Sequence, residues 1–440
     1  MQDNKKRVYV PMVADYLHPG HLNILRCAAE LGEVMVGLYT DKAVATYKRV
    51  PFMTFEQRKE IVESIKGVAV VVAQEEKDYE PNLRKYKPDY MVHGTDWREG
   101  PLKKARDRAI EVMAEWGGEI VEPEYTKNIS SSELHAKAKQ EGITPQRRLA
   151  SLRRLLDNKP IIRIMEAHSA LCAIAIDQAK HVVPGEETRT FDGMWLSSLT
   201  DSSVRGKPDI EFVDLTTRVV TINDILECST KPLIYDGDTG SLPEHFAFTV
   251  RRLERLGVSA VIIEDKTGAK KNSLLEPAEN LHLQESIENF TAKINRGKQA
   301  QLTSEFMIIA RIESLILGMG VEDALKRAKA FLDAGADGIM IHSREKDGKE
   351  VFEFCREYNK FANRKTLVAV PTNYAAVYED QLREAGVNIV IYANQMLRSS
   401  YTNMLKTAEK ILSHGRAHEA DDDYISALNL IKLIEENSKC

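Results

Sequence analysis

Short apolar runs alternate with amphipathic stretches along most of the chain. In the first 140 residues the runs RVYVPMV, VMVGLYT, VAVVVA and YMVHG read as strands. HLNILRCAAELG, which ends at Gly32, and EQRKEIVESIK have the apolar spacing of helices. Strands that alternate with helices imply a parallel sheet covered by helices. A second and longer series begins near residue 160. Its strand-like runs are IIRIMEA, GMWLSS, PLIYDGD, AVIIED, FMIIARIE, GIMIHS, LVAVPT and NIVIYAN, with helices such as EHFAFTVRRLERLG and VEDALKRAKAFLDAG between them. Eight strands with intervening helices predict a (β/α)8 barrel. The stretch GITPQRRLASLRRLLDNKP separates the two series and predicts a basic amphipathic helix opened by Thr144 and Pro145, read as a solvated connector. The expected architecture is α/β: a Rossmann-like domain over residues 1–143, then a barrel domain over 144–440.

Composition changes this picture little. The 440 residues are 43% hydrophobic and 29% charged, as in ordinary globular protein. A net charge of -5 gives no reason to expect nucleic acid or a membrane surface as a partner. No apolar run is long enough to cross a bilayer, and the first residues lack the pattern of a signal peptide. The five cysteines are scattered without a C-x-x-C pair, which argues against a disulfide framework or zinc site and suits a reducing cytoplasm.

The chemistry gathers at the predicted strand ends. Asp236, Asp238 and Glu264 end barrel strands, and Asp209 lies in the loop after the second one. Carboxylates that converge on a barrel mouth repel one another unless a cation joins them. Hard oxygen donors without a histidine or cysteine cluster favour Mg2+. Cations and donors lie nearby: Lys270, Asn272, Ser273, Arg311 and His342. An inward arginine on a strand is costly to bury without an anion. Trp195 and Ser197 close the second strand. By itself Trp195 reads as barrel packing and His342 as a core histidine.

Taken together, these stretches resemble a known family. EDKTGAKKNS is similar to the E-D-K, five residues, N-S signature of the phosphoenolpyruvate mutases, in the isocitrate lyase and phosphoenolpyruvate mutase superfamily. The resemblance continues through MEAHSAL, WLSSL, DGDTG, ARIES, AGADGIMIHS, VPTNY and YANQMLR, over about residues 147–415. It implies an oligomeric barrel, a dimer or tetramer, that interconverts phosphoenolpyruvate and phosphonopyruvate with Mg2+. By position, Asp236 would bind the ion directly, and Asp209, Asp238 and Glu264 would hold its waters. Trp195, Ser197, Ser198 and Leu199 would line the substrate pocket. Lys270, Asn272 and Ser273 would lie on a lid, Lys266–Ser273, that is open without substrate. Arg311 and His342 would stabilise the phosphoryl group in transit. Ser197-Ser198-Leu199 stands where the family has Ser-Gly-Leu, and Gly240-Ser241-Leu242-Pro243 where it has Gly-Tyr-Gly after the Asp-x-Asp-Thr. No cysteine occurs in KTGAKKNS, where the carbon–carbon lyases have K-K-C-G-H, so a lyase is disfavoured. A phosphonopyruvate hydrolase is the alternative.

In the first domain, His18-Pro19-Gly20-His21 falls between a strand and a helix. A helix N-terminus offers free N–H groups and the positive end of a dipole to phosphate. Gly20 permits close approach, and two histidines donate to developing charge. The segment resembles the H-x-G-H nucleotidyltransferases, particularly cytidylyltransferases, over about residues 6–135. Lys48 and Arg58 stand where that family has phosphate contacts. YTKNISSSE, which contains Ser130, resembles its R-T-x-G-I-S-T-T segment, with Tyr125 for arginine and Asn128 for glycine. Met12-Val13-Ala14-Asp15 replaces its G-T-F-D. The reaction implied is transfer of CMP from CTP to a phosphonate such as 2-aminoethylphosphonate. The alternative is a nucleotide-binding domain without turnover.

Overall fold

A computed structural model describes residues 5–47, 49–98, 103–124, 144–182, 188–267, 270, 272–273 and 283–437. The chain divides into two compact units. Residues 1–141, 157–159 and 181–189 form one, and residues 142–156, 160–180 and 190–440 the other.

The first unit is built on strands β1 (Arg7–Met12), β2 (Glu33–Tyr39), β3 (Val68–Gln74), β4 (Tyr90–Val92) and β5 (Glu119–Val121). They form one parallel sheet in the order β3-β2-β1-β4-β5. Strand β5 is not apparent in the sequence, because three residues carry no periodicity. Helices α1 (Pro19–Leu31), α2 (Asp41–Ala45), α3 (Phe55–Glu63), α4 (Glu80–Tyr86) and α5 (Lys103–Ala114) make the crossovers. The sheet is apolar on both faces. Val8, Val10, Val34 and Val36 belong to one core cluster and Tyr9 and Met91 to the other. Strand order reverses between β1 and β4, and ligands of open α/β sheets bind outside the carboxyl ends of strands at such a switch point.

The second unit opens with helix α6 (Pro145–Asn158). Strands β6 (Ile162–Glu166), β7 (Gly193–Leu196), β8 (Leu233–Asp236), β9 (Ala260–Glu264), β10 (Met307–Ile312), β11 (Gly338–Ile341), β12 (Thr366–Ala369) and β13 (Ile389–Tyr392) follow. All eight apolar runs are strands, and each pairs in parallel with the next around a closed barrel.

Successive side chains of a strand point to opposite faces. Ile162, Ile164, Ile234, Ile262, Ile309, Met340 and Ile391 fill the barrel. Leu233, Tyr235, Val261, Ile263, Ile308 and Ile339 pack outward against helices. The same alternation carries Glu166, Asp236, Glu264, Arg311 and His342 to the inner face at the carboxyl ends. The barrel interior is therefore apolar through its middle and charged at its mouth.

Helix α6 is not a solvated connector. Its Leu152 joins the barrel's inner cluster and its Leu149 the outer one. Arg148 donates to the carbonyls of Leu226 and Ser229, and Arg153 to Phe306 and to Asp337 at 2.9 Å. The basic residues close the amino-terminal end of the barrel by satisfying exposed carbonyls and Asp337.

At the other end of the chain, helices α7 (Gln395–His414) and α8 (Ala427–Asn437) contain no buried residue. Tyr401, Met404, Leu412, Leu428 and Ile431 stand exposed on them. Among the described residues, no helix is long and apolar enough to cross a membrane. Cys27, Cys172, Cys228 and Cys355 are free thiols.

Candidate active site

A pocket opens at the mouth of the barrel. Its lining includes Trp195, Ser197, Ser198, Leu199, Asp209, Asp236, Glu264, Lys270, Asn272, Ser273, Arg311 and His342. Asp238 sits behind that lining, hydrogen-bonded to Lys270 and 3.4 Å from the guanidinium of Arg218. Residues that the sequence spreads over about 150 positions thus meet in one place.

Two groups of charge face each other there. In the first, Asp236 accepts the N–H and the Oγ of Ser198, each at 3.0 Å. Lys270 donates to Asp209 at 2.8 Å and to Asp238, and Asn272 donates to Asp209 at 2.7 Å. Gly237 permits this crowding, since a Cβ there would meet the side chains of Val261 and Ile263 at 2.7 and 2.9 Å. Asp238 adopts a positive φ of 53°, an unusual conformation for a non-glycine residue. Arg218 holds the turn by donating to the carbonyls of Asp236 and Leu196, and it lies over the ring of Tyr235. Burial alone would raise the pKa of Asp236, but Lys270, Arg311 and Arg218 outweigh it and hold Asp236 ionised. Burial and the neighbouring Asp236 push Asp238 up to about 6, against the pull of Lys270.

The second group centres on Glu313. Its Oε1 accepts Arg311 Nε at 2.6 Å and lies 2.5 Å from His342 Nε2. Its Oε2 receives Ser273 Oγ at 2.9 Å and Lys266 Nζ at 2.9 Å. Arg311 also pairs with Glu264 at 3.2 Å. Burial favours neutral Glu313, but Arg311, His342 and Lys266 hold its pKa well below the carboxylate range. Burial lowers the pKa of His342, against the pull of Glu313. Glu313 escaped the sequence reading. It lies two residues beyond Arg311, and the period of two that places Arg311 inward was the available signal. Arg218, on a helix behind the strands, left no such signal.

Residues 268, 269, 271 and 274–282 of the expected lid and its continuation lie outside the described residues. Lys266 belongs to the body of the protein, 1% exposed and paired with Glu313. Lys270 and Ser273 are also buried, so the described part of this segment is folded onto the pocket and not open. Ion pairs supply the anchors that apolar residues do not. Trp195 packs in the barrel's inner cluster and lines the pocket as well.

The acid nest suits a hard cation. Glu264 Oε1 is buried without a hydrogen bond among the described residues, with Lys266 Nζ 3.5 Å away as an ion-pair partner. Among the described residues, no three acidic, histidine or cysteine side chains form a group that could hold a metal ion by themselves. Carboxylates set apart in this way suit an ion bound by one of them and by water held on the others, as Mg2+ prefers.

In the first unit, His18 caps α1, its Nδ1 accepting the N–H of Gly20 at 3.1 Å. The rings of His18 and His21 lie 4.1 Å apart between centroids. Burial lowers the pKa of His18. The pair follows β1, and His93, stacked on Trp97 at 4.0 Å, follows β4, so both flank the switch point. Arg58 is different from expectation. It is fully buried and donates to Asp41 at 2.6 Å and to the carbonyls of Val13, Tyr39 and Met53. Internal acceptors occupy it, which leaves no exposed donor face for phosphate. Asp15 fastens the same region, accepting the N–H groups of Phe52 and Met53 and pairing with Arg49 at 2.9 Å. Lys48 and Ser130 lie outside the described residues.

With this geometry in hand, comparison with known proteins is decisive for the barrel. The phosphoenolpyruvate phosphomutase family model matches residues 152–412. The chain belongs to the phosphoenolpyruvate phosphomutase family. A cytidylyltransferase-like model matches residues 13–137. A phosphoenolpyruvate phosphomutase of Tetrahymena pyriformis is 37% identical over 267 residues, covering 60% of this chain and 84% of that one. A phosphonopyruvate hydrolase of Variovorax sp. is 32% identical over 285 residues, covering 64% and 93%. Among solved structures, a phosphoenolpyruvate phosphomutase of Streptomyces platensis superposes with a TM-score of 0.60 at 32% identity, covering 66% of this chain and 96% of that one. A phosphonopyruvate hydrolase with oxalate and Mg2+ superposes with a TM-score of 0.58 at 30% identity, covering 67% and 96%.

Proposed function

We propose that the barrel interconverts phosphoenolpyruvate and phosphonopyruvate in the cytoplasm, as a step of phosphonate biosynthesis. The observation that carries this reading is the meeting, in one pocket, of the acid nest, the Arg311–Glu313–His342 cluster and the Lys270–Ser273 segment. The phosphorus–oxygen bond of the enol phosphate breaks and a phosphorus–carbon bond forms at the methylene carbon of the same pyruvate enolate. Asp236 would hold Mg2+, with Asp209, Asp238 and Glu264 on its waters, and the bound ion would supply charge neutralisation for the oxygens of the pyruvate unit. Arg311 and His342, both oriented by Glu313, face the phosphoryl oxygens. Trp195, Ser197, Ser198 and Leu199 shape the pyruvate end. Lys270, Asn272 and Ser273 cover the site, because water that reaches the phosphoryl group in transit diverts it to hydrolysis. The similarity to phosphonopyruvate hydrolases supports the second reading, in which that diversion is the reaction. Supplying phosphonopyruvate and Mg2+, and coupling product to ADP through pyruvate kinase, separates the two. A mutase yields ATP; a hydrolase yields inorganic phosphate and none.

For the first domain we infer transfer of CMP from CTP to a phosphonate such as 2-aminoethylphosphonate, with His18, Gly20 and His21 at the triphosphate and Lys48 and Ser130 as further contacts. The His18–His21 turn at a helix N-terminus beside the switch point supports it. The chain ties this domain to a maker of carbon–phosphorus bonds, which points to a phosphonate as acceptor. Release of pyrophosphate from CTP with that acceptor tests it. The exposed apolar residues of α7 and α8 support a homo-oligomer formed through the barrel unit. Sedimentation equilibrium tests that.

A further inference from the structure

We propose that the Ser198 hydroxyl is a positioning group that registers the Lys270 ammonium against Asp236. The inference rests on the reading of the barrel site, where Ser198 lines the pocket, and adds a role for its hydroxyl toward Lys270. Ser198 Oγ donates to Asp236 Oδ2 at 3.0 Å and receives Lys270 Nζ at 2.6 Å. The direction of this relay is fixed by chemistry. An ammonium only donates and an ionised carboxylate only accepts, whereas a hydroxyl has one hydrogen to give and lone pairs to receive. The order must be Lys270 to Ser198 to Asp236. All three residues are buried, and each bond has an ionised group at one end; the Lys270 bond has the short length of a charge-assisted bond, and the Asp236 bond is longer.

Charge alone does not do this. Asp209 and Asp238 attract Lys270 and bond to it, but neither bonds to Asp236 through a side chain. The Ser198 side chain is hydrogen-bonded to both Lys270 and Asp236. Its backbone N–H also meets Asp236 Oδ2, so removing the hydroxyl leaves the carboxylate one of its two bonds to this residue. The Lys270 ammonium then keeps its attraction to the nest and loses its fixed place in it. The consequence falls on the transition state, where the covering segment must be seated, more than on ground-state binding.

The test uses the full chain with Ser198→Ala, Ser198→Gly and Ser198→Thr, each checked for an unchanged circular dichroism spectrum. Lys270 is labelled with acetic anhydride in metal-free, substrate-free buffer, and the rate is read by peptide mass spectrometry. The rate is expected to rise several-fold in the alanine and glycine variants and to stay at the wild-type value with threonine, which keeps the hydroxyl. With phosphonopyruvate and Mg2+, kcat is expected to fall about tenfold in both hydroxyl-free variants with KM within about twofold, the size of one lost hydrogen bond to a charged group. Wild-type labelling in Ser198→Ala overturns the role. So does a raised KM at unchanged kcat, which makes the hydroxyl a substrate contact. If labelling responds as stated while the wild type converts no phosphonopyruvate, the reading of the reaction falls and the positioning of Lys270 stands.

Discussion

Arg311 and Glu313 leave the end of one barrel strand two residues apart, and the arginine Nε reaches the glutamate oxygen at 2.6 Å. That carboxylate is fully buried and also serves Lys266, Ser273 and His342. Removing one partner of a buried ionic cluster leaves the others uncompensated, at a cost of about 3–5 kcal/mol. Glu313→Gln is expected to lower both the melting temperature and kcat, the latter by about 100-fold, since Arg311 loses its fixed direction. Calorimetry and steady-state kinetics on the same preparation check both effects.

Asp236→Asn keeps the shape of the site and removes its charge. Affinity for Mg2+ is expected to fall more than about 100-fold, beyond the loss typical of an outer-shell partner, with turnover abolished and the fold retained. Isothermal titration with Mg2+ and a far-ultraviolet spectrum measure the two sides. Wild-type-like turnover in Mg2+ contradicts the assignment.

Much of this was legible beforehand, for physical reasons. Strands buried on both faces read as near-continuous apolar runs, and most of the barrel strands were of that kind, while β6 alternates around Arg163. The inward period of two then carried Asp236, Glu264, Arg311 and His342 to the mouth. What escaped was whatever lacks period or depends on a partner across the fold. Three-residue β5 has no pattern. Arg148 and Arg153 of α6 look like surface charge until the carbonyls they satisfy are seen. Arg58 looks like a phosphate ligand until Asp41 and three carbonyls are found around it.

His168 offers a test by pH. Burial disfavours its charged form, but hydrogen bonds to Cys172 and Glu166 outweigh this and raise it to about 10. Its folded pKa lies above the unfolded value of about 6.5, so its contribution to stability is complete below pH 6.5 and fades as pH rises toward about 10. The melting temperatures of wild type and His168→Gln are expected to differ most at pH 6 and to converge by pH 10. A difference that is constant with pH contradicts the charged His168–Glu166 pair.

Leu152 of α6 is fully buried in the barrel's inner cluster. Leu152→Ala is expected to destabilise the barrel by about 2–5 kcal/mol, the range for a leucine truncated in a packed core. Urea unfolding followed in the barrel transition reads it. A change below about 0.5 kcal/mol is the surface-residue result and returns α6 to the status of a connector.

His18→Ala and His21→Ala are each expected to cut pyrophosphate release from CTP by about 100-fold or more, in line with the loss of one transition-state donor. Phosphonopyruvate conversion by the same variants is expected to stay within about twofold. Equal losses in both assays contradict a separate site in the first domain.

Phosphorus NMR on phosphonopyruvate with Mg2+ and the full chain tests the central claim most directly. The expected result is loss of the phosphonate resonance with matching growth of the phosphoenolpyruvate resonance, and no such change with Asp236→Asn. Growth of inorganic phosphate in its place, or a phosphonate signal that persists with active-site concentrations of wild-type protein, contradicts the account.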